Sequence, residues 1–319
     1  MRAHALILTA ALTHACASST AQPDPDDTAG DPTFRIALFA DTHIIDDDYE
    51  CCENSPLDTE TITRTVERLA AVRATLGAIR PAPAFGVNLG DVFHQAYKRD
   101  TVADYAQPDA APAIAASMLR EFPFPVHIAW GNHDYGVPRY SREFTHDIFD
   151  QVFDSQPTTV IEQGGWRFIL ANSQLGSTWD EDSPLYNRSL GSFGAEQLAE
   201  MDALLSDGTP TLLFFHHPPF VCARDEAQGP TPDILSLVER HKATVKGVFT
   251  GHTHRWIDLG ATWNDEVPTW VVGATRYGPH NFWILDLTEG TDTYEIVDFD
   301  RVHFNDVGAD PWDPDVHTR

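Results

Sequence analysis

The chain has 319 residues, 42% hydrophobic and 22% charged, enough to bury a full core in one large domain or two at most. Its formal net charge of −27, from 21 Lys and Arg against 48 Asp and Glu, repels nucleic acid and anionic lipid, so neither is an expected partner. An anionic substrate would need positive charge supplied locally.

Residues 1–17 read as an export signal: a basic start at Met1-Arg2, an apolar run over 5–12 too short to span a bilayer, and small residues at Ala15-Cys16-Ala17. The protein is therefore expected outside the cytoplasm, periplasmic or in the cell envelope. Cys16 raises the alternative of a lipoprotein-type signal, in which a lipid on that cysteine would be the only membrane contact. Residues 18–32, rich in Asp, Pro, Ser and Thr, read as a disordered tether. The folded domain is expected over 33–304, with 305–319 as a tail. Cys51, Cys52 and Cys222 form no disulfide framework, and no C-x-x-C spacing exists. Adjacent Cys51 and Cys52 are poorly placed to pair with each other; pairing of one with Cys222 is left open.

From residue 34 strands and helices alternate. Strands are predicted over 34–40, 84–89 and 125–130, followed by a hairpin over 159–171 turning at Gly164-Gly165. Further strands are predicted from 211, over 245–250, 269–272, 282–287 and 294–299. Helices are predicted over 59–79, where Ile62, Val66, Leu69, Val72 and Leu76 are spaced by three and four, and over 141–152, 195–205 and 233–241. The pattern is α/β: two packed sheets flanked by helices, in a single domain.

Five predicted strands end in polar clusters: Asp41-Thr42-His43, Gly90-Asp91-Val92-Phe93-His94, Gly131-Asn132-His133-Asp134, His216-His217-Pro218-Pro219 and Gly251-His252-Thr253-His254. Ligands in α/β sheets sit at the carboxyl ends of strands, so these clusters are expected to converge. Carboxylate, amide and imidazole donors without thiolate suit Zn, Fe, Mn or Co. Seven ligands exceed one tetrahedral site but fit two ions about 3.5–4 Å apart bridged by a carboxylate. Glycines before Asp91, Asn132 and His252 are expected to make the sharp turns that present the next side chain.

In these five motifs, and in their order over residues 35–254, the sequence resembles the calcineurin-like metallophosphoesterases. The resemblance implies a two-sheet αββα sandwich and two divalent or trivalent metal ions. It implies Asp41 and His43 on the first metal, Asp91 bridging, Asn132 on the second, His216 as a further ligand, His252 on the second metal and His254 on the first. His133 would assist at the substrate phosphate, with Asp134 orienting its ring, while a hydroxide bridging the metals attacks phosphorus in line. Where many relatives have Asp or Asn, and purple acid phosphatases a Tyr, this chain has His94. It is read as substrate-facing or an alternative ligand, against a plain loop hydrogen bond. His217 is read as supporting the ligands or the substrate. Arg276 is a candidate for the substrate phosphate, with His280 behind it. The acidic loop over 46–53 is expected beside the site. Asn187-Arg188-Ser189 fits the glycosylation triplet, to which no weight is attached.

The expected activity is hydrolysis of a small-molecule phosphoester, with a phosphodiester leading because His43, G-N-H-D and H-H-P-P resemble the cyclic-nucleotide and glycerophosphodiester branch. A phosphomonoesterase is the alternative, and a non-catalytic metal-containing binding module is the alternative of another class. A nuclease is disfavoured by the net charge.

Overall fold

The computed structural model describes residues 32–49, 56–94, 97–261, 266–278 and 280–297. The export signal with Cys16, the tether up to residue 31, Cys51, Cys52 and the tail over 305–319 lie outside the described residues. Among the described residues Cys222 is a free, buried thiol whose Sγ lies 3.3 Å from the His217 carbonyl; its candidate partners Cys51 and Cys52 lie outside them.

Two mixed sheets make the centre. The first has β1 (Thr33–Phe39), β2 (Phe85–Asn88), β3 (Val126–Ile128), β10 (Phe282–Thr288) and β11 (Tyr294–Ile296), in the order β11-β10-β1-β2-β3. The second has β4 (Thr159–Gln163), β5 (Trp166–Leu170), β6 (Thr211–Phe214), β7 (Val245–Thr250), β8 (Ile257–Asp258) and β9 (Thr269–Val271), in the order β4-β5-β6-β7-β9-β8. Strands β1, β2 and β3 are mutually parallel, as are β5, β6, β7 and β9. All five polar clusters therefore follow the carboxyl ends of parallel strands.

The central strands are apolar on both faces, and their period-2 alternation divides the core. Ile36, Leu38 and Ala40 pack between the sheets with Val87, Phe168, Phe214 and Phe249, whereas Ala37 and Phe39 join the cluster under the first helical layer. Along β6 and the residue after it, Leu212 and Phe214 face the other sheet while Leu213 and Phe215 face helices. The first layer holds α2 (Thr65–Ala78), α4 (Ala111–Arg120) and α5 (Arg142–Phe153); the second holds α6 (Ala195–Leu205) and α7 (Ile234–Arg240). The result is the αββα sandwich expected. Among the described residues no helix is long and apolar enough to cross a membrane.

Two elements differ from expectation. The helix over 59–79 is broken into α1 (Pro56–Ile62) and α2, because Thr63 and Thr65 turn their hydroxyls onto the carbonyls of Glu60 and Ile62 and compete with the helical ladder. The break shifts the phase, so Val66 lies 44% exposed instead of joining Leu69, Val72 and Leu76. The segment after His94, where no element is predicted, contains α3 (Val102–Tyr105) and α4, with α4 opened by Pro112 and capped by Asp46, whose carboxylate accepts the Ala111 N–H at 2.6 Å.

Candidate metal centre

The strand ends are knitted together by their own backbones before any side chain is considered. The Asp41 and His43 N–H groups donate to the carbonyls of Gly90 and Asp91, each at 2.9 Å, and Gly251 N–H donates to the His216 carbonyl at 3.0 Å. Asp41, His43, Asp91, His252 and His254 all hold positive φ, between 47° and 73°. Such conformations cost about 1–3 kcal/mol each in a non-glycine residue and persist where surrounding structure over-determines them, typically at functional sites. Gly90 turns at φ +97°, as expected, but Gly131 and Gly251 serve by leaving space. A Cβ on Gly131 would lie 2.2 Å from the Asp91 backbone nitrogen, and one on Gly251 would lie 2.9 Å from Asp41 Oδ2.

These turns gather two side-chain clusters that share Asp91, beside a third donor group of His43, His94 and His133. Asp41, His43, Asp91 and His254 bring their ligand atoms within 4.8 Å of one another, and Asp91, His216 and His252 do the same. Asp91 belongs to both. Its Oδ2 lies 3.6 Å from His43 Nε2 and 3.3 Å from His216 Nε2, while its Oδ1 accepts the His133 N–H at 2.7 Å. Asn132 Oδ1 lies 3.0 Å from His216 Nε2 and 2.8 Å from His252 Nδ1, so it joins the second cluster. His43 Nε2 and His254 Nε2 face each other at 3.0 Å.

The chemistry of these donors fits cations. His216 Nδ1 lies 2.8 Å from the Leu89 carbonyl, which only a protonated Nδ1 can serve. In the neutral ring the Nε2 lone pair then faces Asn132 Oδ1 and Asp91 Oδ2, both acceptors. Acceptors converging in this way need a positive charge between them. Burial, reinforced by His133 and His254 and opposed by Asp91, holds His43 well below the usual imidazole range. Burial likewise pushes His252 down to about 4, leaving neutral rings with lone pairs to offer. His216 differs: burial works against its charge, but Asp91 pushes it up to about 9, so a proton on Nε2 can itself supply that positive charge, in the place a metal ion would take.

The other sequence candidates sit around this centre. His133 has its ring between His43, at 4.8 Å and 80°, and His94, stacked at 4.5 Å and 19°; its buried Nδ1 has no hydrogen-bond partner. Asp134 does not orient that ring as expected. Its oxygens accept the backbone N–H groups of Phe93 at 3.1 Å and Gly131 at 2.8 Å, so it fixes the loop carrying Asn132 and His133. His94 lies behind the first cluster, its Nδ1 2.9 Å from His43 Nδ1. His217 is buried against His252 at 4.5 Å, with Nδ1 2.8 Å from Ser173 Oγ. Arg276 follows β9 on a segment that pairs beside β1, its N–H on the Asp41 carbonyl at 3.2 Å. It is 2% exposed, and its charge helps depress both His43 and His94. Sequence reasoning missed the residues that complete the adjacent cavity, Tyr97, Tyr135 and Arg188, which carry no local pattern to mark them.

The sequence model for the calcineurin-like phosphoesterases matches residues 34–256. The chain is 27% identical over 243 residues to a probable cyclic nucleotide phosphodiesterase of Synechococcus sp., covering 72% of this chain and 77% of the relative. A dimetal phosphatase from Danio rerio superposes with a TM-score of 0.58 at 21% identity, covering 81% of this chain and 94% of that one. Calcineurin-like dimetal phosphoesterases use two divalent metal ions, and the two clusters sharing Asp91 are able to hold them. From its five motifs, its two sheets and this paired donor set, the chain belongs to the calcineurin-like phosphoesterases, metal-dependent hydrolases of phosphoesters.

Proposed function

We propose that this enzyme hydrolyses a small phosphodiester, with Asp41, His43 and His254 holding one ion, Asn132, His216 and His252 the other, and Asp91 both. The observation that carries the reading is the sharing of Asp91 between the two clusters while the backbone of His133 grips its second oxygen. Two ions bound there would supply an acidified water as nucleophile and neutralise charge on the phosphoryl oxygens. The chain's own residues do the rest. His133, stacked on His94 and edge-on to His43, transfers a proton to the departing oxygen. Arg276 supplies the local cation that a net charge of −27 makes necessary for an anionic substrate. Preference for a diester is supported by the Synechococcus relative, whose name is that of a probable cyclic nucleotide phosphodiesterase. The residue 1–17 segment supports work outside the cytoplasm.

Hydrolysis of bis(p-nitrophenyl) phosphate and p-nitrophenyl phosphate by Mn²⁺-loaded and chelator-stripped protein tests this. Metal-dependent turnover favouring the diester, lost in Asp91→Ala and cut about 10²-fold or more in His133→Ala, is expected. Faster turnover of the monoester would replace the proposal with a phosphatase, and no turnover with two bound metals would favour a binding module.

A further inference from the structure

A cavity of about 700 Å³ opens beside the two clusters, lined by Asn132, His133 and His252 and also by Gly136, Arg188 and Ser189. That volume suits a ligand much larger than a phosphate alone. Arg188 is the cation on its lining, and it is exposed. Its Nη1 donates to the Val137 carbonyl at 2.5 Å, which leaves further guanidinium donors for a ligand. Among the described residues no carboxylate pairs with it, although the chain has 48 Asp and Glu and arginines such as Arg35, Arg99 and Arg167 are each bound to one or two.

The loop carrying Arg188 is built rather than loose. Asn187 N–H donates to the Thr178 carbonyl at 2.9 Å, and Asn187 Oδ1 accepts the Ser189 N–H at 3.1 Å. The Leu190 carbonyl accepts from Thr178 Oγ1 at 2.8 Å and Trp179 Nε1 at 2.9 Å. A guanidinium kept clear of carboxylates, pre-positioned at the mouth of a catalytic cavity, is suited to bidentate capture of a phosphate.

We propose that Arg188 is a specificity-determining residue that binds a second phosphate, carried on the organic part of the substrate, while the scissile phosphoryl group lies at the metal centre. The substrate class is then a phosphodiester bearing a remote phosphate monoester. This rests on the phosphodiesterase reading above for the position of the scissile group.

Calorimetric titration of the metal-loaded enzyme with thymidine 5′-monophosphate and thymidine 3′,5′-bisphosphate tests it without turnover. Wild type should bind the bisphosphate about tenfold tighter, the scale of one charge-assisted pair. Arg188→Gln, which keeps an N–H for the Val137 carbonyl but no charge, should bind the two alike, and Arg188→Lys should keep part of the preference. Equal affinities in wild type, or a preference that survives in Arg188→Gln, would overturn the proposal. The p-nitrophenyl esters of thymidine 5′-phosphate with and without a 3′-phosphate should give the same ratios in kcat/KM. Failure of the hydrolase reading shows separately, as no p-nitrophenolate from either ester with wild type; the binding comparison then judges Arg188 by itself.

Discussion

Replacing Gly131 by Ala is the sharpest test of how the centre is assembled. The added methyl would sit 2.2 Å from the Asp91 nitrogen, 2.3 Å from Asp91 Oδ1 and 2.9 Å from His216 Cε1. Real Cβ contacts stay beyond 3.0 Å, so the Asp91 loop has to retreat by about 0.8 Å, and the nearest atom is backbone with no rotamer to yield. Asp91 is the shared carboxylate, so both clusters are displaced together. Overpacking of this kind costs about 1–3 kcal/mol of stability, and an ångström of misplacement costs about 10² in rate. Metal content by elemental analysis and kcat/KM on bis(p-nitrophenyl) phosphate check the outcome: fewer than two metals per chain and a loss of about 100-fold. Gly77→Ala is the control, since its methyl meets Pro123 Cγ at an ordinary 3.5 Å within α2 and should leave activity intact while adding up to about 1 kcal/mol. A Gly131→Ala protein with two metals and activity within threefold of wild type would refute the packing argument.

Glu226 should make stability depend on pH. Burial pushes its carboxyl from 4.5 up to about 7, against the pull of the Gly194 and Phe193 N–H groups that its Oε2 accepts and with a push from Asp233. Between those values the folded chain holds more of this proton than the unfolded one, so stability falls as pH rises through that window. Glu226→Gln keeps an acceptor and cannot ionise. Its advantage in urea unfolding should grow from pH 4.5 to pH 8 by at most about 3 kcal/mol, and a pH-independent difference would count against the assignment. His94→Ala removes the ring on His43 Nδ1 and the stack under His133; metal affinity should fall about 10–100-fold, whereas a change confined to KM would make His94 a substrate contact. Trp130→Ala empties a fully buried site stacked on Phe149 and should cost about 3–5 kcal/mol in denaturant unfolding, with a cost below 1 kcal/mol contradicting the packing.

Much of the centre was legible because apolar strands ending in Asp, Asn and His are a local signal. A run such as Thr211 to Phe215 has to stop at His216-His217-Pro218-Pro219, and five such stops in one chain are hard to explain by packing. Roles that depend on where a second lone pair points were not legible. Asp134 follows His133 in sequence, yet its oxygens go to Phe93 and Gly131; proximity along the chain said nothing of direction. His94 could be read as facing substrate or metal, and its 2.9 Å approach to His43 and its place in one donor group with His43 and His133 are visible only in the structure. The break at Thr63 escaped because hydroxyl competition leaves no mark on the apolar spacing, whereas the helix over Ala111–Arg120 does carry a buried face at Ala111, Ala115, Ala116, Met118 and Leu119 that marks it in the sequence.

By itself, then, the sequence determined the ligand types, their order and their attachment to strand ends, since hydrophobic period and polar punctuation act over a few residues. Tertiary structure supplies the distances behind what the resemblance implied, Asp91 within both clusters and His254 against His43 across 211 positions, and it alone shows that Arg188 borders the same cavity as His133. Those are distances between segments far apart in the chain, fixed by how two sheets pack and how their loops hydrogen-bond, and no local pattern encodes them.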